Sequence, residues 1–127
     1  MVIPLRYLRL LVDSAGRSHF EDCTLPLTTR AFAPPTTPLE ASDLLPASGL
    51  AVVHFKPDWE GRWHPSPYRQ WFFILSGSVT LTACDQTERT LNTGAVILLE
   101  DMGTKGHQTR VNGGQPVFAV GVRVPDA

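Results

Sequence analysis

From Gln70 to Val124 the chain is a series of short β-branched or aromatic runs, each closed by turn-forming residues, and nothing else in it constrains the fold as tightly. The runs are Gln70 to Ser76, Val79 to Cys84, Glu88 to Leu91, Ala95 to Glu100, Gly106 to Val111 and Pro116 to Val124. Between them lie Gly77-Ser78, Asp85-Gln86, Asn92-Thr93-Gly94, Met102-Gly103 and Asn112-Gly113-Gly114. Short strands at this spacing with turn chemistry between them predict an all-β fold, an antiparallel sandwich or barrel, and no helical periodicity competes. Strand residues alternate between faces, so Gln70, Phe72 and Ile74 point one way and Trp71, Phe73 and Leu75 the other. Both faces are apolar. This strand is therefore expected to be covered twice, by a barrel interior and by a second layer or subunit.

A length of 127 residues predicts a single domain over 1–127, and 43% hydrophobic content suffices for one core without disulfides or metal. Eleven basic and twelve acidic residues leave a formal charge of -1, so no field of one sign is available to draw nucleic acid or an anionic membrane. Cys23 and Cys84 fit no zinc or redox spacing and read as two reduced, half-buried thiols. Arg6 and Arg9 interrupt the apolar N-terminus, no small-residue cleavage site follows, and no run is long enough to span a bilayer. A cytoplasmic protein is expected.

Residues 1–49 read as N-terminal strands and a Pro-rich arm that precede the strand-rich remainder, 50–127. Arg6 to Val12 is a strand ending in the turn Asp13 to Gly16, and Arg17 to Leu27 is extended, with Pro26 arguing for an edge position. In that strand His19 and Glu21 share one face while Asp22 takes the other, which suits a solvated edge better than a ligand cluster. Ala31 to Gly49 carries four prolines and reads as an irregular connector pinned by Phe32, Leu39 and Leu44-Leu45, an arm of the kind that packs on a neighbouring subunit. His54, in the strand Leu50 to Lys56, reads as a core or edge histidine rather than a ligand.

Two further histidines sit in comparable settings. His64 lies in the proline-broken loop of GRWHPSPYRQWFFILSG, Gly61 to Gly77, which passes Gln70 and becomes the doubly apolar strand. His107 lies in a later echo, Gly94 to Val111, where GAVILLED is followed by MGTKGHQTRV. Two strand-turn units that each present one histidine predict the two halves of one site. Phe72, Ile74 and Trp63 are its expected walls, and the tryptophans at 59, 63 and 71 suit a planar or apolar ligand, with Trp71 assigned to packing on the opposite face. Lys105 and Arg110 flank His107, and alternation sends Arg110 to the surface.

This two-part pattern resembles that of the cupins, small double-stranded β-helix or jelly-roll proteins, over about Gly61 to Val124. In the family the first motif runs from a glycine through His-x-His and Glu to a second glycine. Here His64 takes the first histidine's place, Ser66 the second's and Gln70 the glutamate's, with Gly77 closing the motif at the right spacing. In the second motif Gly94, Gly103 and His107 match, Glu100 stands where proline is usual, and Val111 replaces asparagine. The chain also resembles short bacterial cupin-domain proteins with a similar stretch before the histidine. The resemblance implies a jelly-roll barrel, a homodimer, and a small-molecule pocket at His64, Gln70 and His107. It also implies a divalent ion such as manganese, iron, nickel or zinc, but two imidazoles and a neutral amide are weaker donors than three imidazoles and a carboxylate, so the ion is weak or absent. Glu60 or Asp58 could supply a carboxylate if their loop folds inward. Expected functions are non-redox lyase, isomerase or cyclase chemistry with His64 and His107 as acid and base, or metabolite binding without turnover.

Overall fold

The computed structural model describes residues 3–125, and among them every regular element is a strand. The strands are β1 (Ile3–Val12), β2 (Ser18–Arg30), β3 (Leu39–Ala41), β4 (Gly49–Phe55), β5 (Gln70–Ser76), β6 (Val79–Ala83), β7 (Glu88–Leu91), β8 (Val96–Leu99), β9 (His107–Val111) and β10 (Val117–Arg123). They form a seven-stranded sheet in the order β3-β2-β1-β8-β5-β10-β4 and a three-stranded sheet in the order β7-β6-β9. All neighbouring pairs are antiparallel except β1 with β8. The fold is the all-β jelly roll expected. No helix among the described residues is long and apolar enough to cross a membrane.

Register decides which side chains meet between the sheets. Gln70, Phe72 and their partners Leu99 and Ile97 face inward, followed by Ile74 and its partner Ala119. Leu8 and Leu10 join them from β1, while Val79, Leu81, Leu91 and Val111 come from the small sheet. Leu10, Val117 and Ala119 are wholly inaccessible and Ile97 nearly so. Burying each leucine, isoleucine or valine contributes about 1.5–3 kcal/mol. Glu100 clips the layer from the side, with its carboxylate 2.7 Å from Arg9 of β1 and 2.6 Å from Arg69 just before β5.

The outer face of β5 is covered in part by the chain's own arm. Leu45, Pro46 and Ala47 border a groove on this face together with Trp71, Phe73 and Val122, and Tyr7 meets Trp71 edge-on at 5.1 Å. Farther along the same face Leu50 and Val52 of β4 and Phe118 of β10 stay open. The connector expected over Ala31 to Gly49 contains one short strand, β3, that its prolines concealed. Because β3 pairs only with Thr28, Thr29 and Arg30, the rest of β2 is an edge strand, as Pro26 suggested. Both cysteines are free and half-buried.

Candidate functional site

The residues that bring the two histidines together are mostly backbone. After β4 the chain turns through Trp59 and runs antiparallel along the open edge of β9. Gly61 N–H donates to Thr109 O at 2.8 Å and Val111 N–H to Trp59 O at 2.8 Å. His64 and His107 then exchange both backbone hydrogen bonds, at 3.1 and 3.0 Å. Directly opposed residues of an antiparallel pair project their side chains to the same side, and the two rings lie 4.9 Å apart, tilted by 50°. Gly106 makes this approach feasible. It has φ +88, and a Cβ there would lie 2.1 Å from the His64 carbonyl oxygen.

Each imidazole is held by its Nδ1. His64 Nδ1 lies 2.8 Å from the Arg62 carbonyl oxygen, which can only accept, so the proton is on that nitrogen. His107 Nδ1 lies 2.7 Å from Asp101 Oδ2. Asp101 is fully buried and His107 is 3% exposed, and Asp101 Oδ1 accepts the backbone N–H of Ser66 at 3.2 Å. In both rings Nε2 has no hydrogen-bond partner among the described residues, and in the neutral form it carries the free lone pair. Buried, oriented imidazole beside a carboxylate is the arrangement that holds a base in one tautomer and stabilises the imidazolium it becomes.

Both rings line a cavity of about 340 Å³ between the two sheets. Gln70, Phe72 and Ile74 line it, with Leu81, Leu91, Ile97 and Leu99 completing the apolar wall. Gly121, opposite Phe72 in β10, lacks the side chain that would press on the Phe72 ring at 3.2 Å. Trp63 is a correction: it does not line the cavity but carries Lys105 over its ring at 5.0 Å, and Trp59, 4.8 Å from Phe55, walls the cavity instead. The other candidate carboxylates also stay out. Asp58 and Glu60 are exposed and line no part of it, because the loop spends its backbone on β9. Arg110 points to the outer surface and pairs with Glu88 at 3.2 Å. Outside the site, His54 stacks on Phe118 at 4.8 Å and Asp22 pairs with Arg89.

Asp101 is the participant the sequence reading missed. Its only signal is an acid two places beyond the wholly buried run Val96 to Leu99 and six before His107. Ser66, seen only as a motif departure, is buried to 3% and lines the cavity too.

A family profile described as "Cupin domain" matches residues 51–122, more than half of the chain. The chain belongs to the cupin family. No curated protein matches it in sequence. Among solved structures it is similar to the Schizosaccharomyces pombe Cnp3 cupin domain, at 14% identity and TM-score 0.46, over 96% of this chain and 83% of that one. Cupins often hold a divalent ion, which makes the donor set here worth testing. His64, His107 and Gln70 offer two neutral imidazoles and a neutral amide, and both oxygens of Asp101 are already engaged. Among the described residues no group of three His, Cys, Asp or Glu side chains is placed to hold a metal. Without an anionic ligand this cupin site does not fit a resident divalent ion.

Proposed function

We propose that this cupin binds an apolar small molecule between its sheets and moves a proton on it, as a non-redox isomerase, lyase or cyclase. The observation that carries this reading is the buried Asp101–His107 pair opening onto an apolar cavity beside His64. Asp101 fixes His107 with its Nε2 lone pair free to act as base. His64, exposed at the mouth, is suited to exchange protons with solvent. No lysine, arginine or carboxylate lines the cavity, so the bound molecule is uncharged. A homodimer completes the proposal, with the open apolar end of the outer face as its contact.

The test uses 5-nitrobenzisoxazole, a probe whose C3 proton is removed by a base as its N–O bond breaks, giving a coloured cyanophenolate. Saturable turnover by the native protein, lost in His107→Ala and lowered at least ~10-fold in Asp101→Asn, is expected, since a positioned base contributes about 10²–10⁴-fold. Saturable binding with turnover no faster than free imidazole would reject the enzyme. It would leave the second reading, a cupin that holds a metabolite without converting it, which the same apolar cavity supports.

A further inference from the structure

Ser66 is the unexplained group in this site. Its side-chain oxygen is buried without a hydrogen-bond partner, although the residue is 3% exposed and lines the cavity. Its backbone N–H is tied to the same carboxylate that holds His107, so the serine and the base are fixed to one anchor. A buried hydroxyl left unpaired costs roughly 1–3 kcal/mol, a penalty that a ligand removes by pairing with it. The cavity wall therefore holds an unpaired hydroxyl at Ser66 and, on His107, a ring Nε2 with no partner among the described residues.

Resting on the proton-transfer reading above, we infer that Ser66 binds the carbonyl oxygen of an enolisable ketone or aldehyde whose α-carbon faces His107. A carbonyl oxygen can only accept, which matches the Ser66 hydroxyl as donor. The α-carbon has the acidic C–H that matches the His107 lone pair. In the step, His107 Nε2 takes the α-proton, the C–H pair becomes the C=C bond, and the carbonyl π pair moves onto oxygen. The resulting enolate oxygen accepts the Ser66 O–H, and the imidazolium stays paired with Asp101. Return of the proton to the same carbon restores the ketone, and return to a conjugated carbon isomerises it. No co-reactant is needed. A carboxylate ligand is disfavoured, since the cavity supplies no lysine or arginine and Asp101 lies behind His107.

The experiment compares 4-fluoroacetophenone with 1-fluoro-4-isopropylbenzene, of nearly the same shape but without the oxygen, by fluorine NMR titration. Exchange of the ketone's methyl protons in D2O is followed in parallel. Native protein should bind the ketone more tightly than the hydrocarbon. Ser66→Ala should erase that preference, weakening the ketone about 5-fold, the factor for one ordinary hydrogen bond, and leaving the hydrocarbon unchanged. Free of its unpaired hydroxyl, unliganded Ser66→Ala should also melt a few degrees higher. A ketone preference that survives Ser66→Ala, a lower melting point, or failure of both probes to bind would overturn the assignment. Loss of methyl exchange alone, with the Ser66-dependent preference intact, would instead reject the proton-transfer reading and keep Ser66 as a carbonyl-binding group.

Discussion

At the scale of single residues, Asp101 joins two loops that are distant in sequence. It accepts from the His107 ring with one oxygen and from the Ser66 backbone with the other, at full burial. Asp101→Ala would orphan both donors. At about 1–3 kcal/mol for each, the loss of stability should be roughly 2–6 kcal/mol in urea unfolding, while Asp101→Asn, which keeps one acceptor, should cost less. Gln70 poses the opposite question, because an anion there would change what the site can hold. From β5 it lines, with a neutral amide, the same cavity that both imidazoles line. Gln70→Glu should raise affinity for zinc or manganese several-fold in calorimetric titration, since it restores the missing charge. An unchanged titration would mean that position 70 does not reach a point shared by both rings.

At the scale of elements, the site depends on 59–64 lying along β9. Gly106 is the point of closest approach, and Gly106→Ala meets both an unfavourable φ of +88 and the His64 carbonyl. The loop must lift or the turn must strain. A loss above ~2 kcal/mol is expected, together with loss of probe turnover, because His64 and His107 would no longer be opposed. The two sheets are also tied by charge. Arg89 of β7 donates to Asp22 of β2, and this hydrogen bond is the main cause holding the Asp22 carboxyl below its ordinary range. Within the small sheet, Arg110 of β9 likewise holds the Glu88 carboxyl of β7 below its ordinary range. A carboxyl depressed in the folded state contributes stability that is fully present above its unfolded pKa and is lost as pH falls through the folded value. The melting temperature should therefore fall below about pH 4, and the Asp22→Asn/Glu88→Gln double variant should show a shallower fall. Both pairs are exposed, so added salt should flatten the native curve as well.

At the scale of the whole molecule, the sequence was legible where one physical rule acted alone. Alternation and turn chemistry located β5 and β7 to the residue, and placed Arg110 outside and Phe72 and Ile74 inside. It failed where tertiary pairing overrode local signals: three residues between prolines became β3, and the loop carrying His64 became a partner for β9. Asp101 was hidden for the same reason, since only the folded chain brings its carboxylate to His107. The outer face offers the last test. β4 ends the large sheet with no further strand beside it among the described residues, and Leu50 and Val52 on it are each 69% exposed. With Phe118 they extend an apolar strip beyond the reach of the arm. A second copy of this chain suits that strip, because an edge strand is complementary to its own antiparallel image about a two-fold axis, and a charge of -1 gives little repulsion. Sedimentation should give twice the chain mass at micromolar concentration. Val52→Glu should shift the protein to monomer while keeping probe turnover, since its side chain lies on the face away from the cavity. A native protein that sediments as a monomer throughout would refute the pairing, and a Val52→Glu dimer would move the contact elsewhere on the chain.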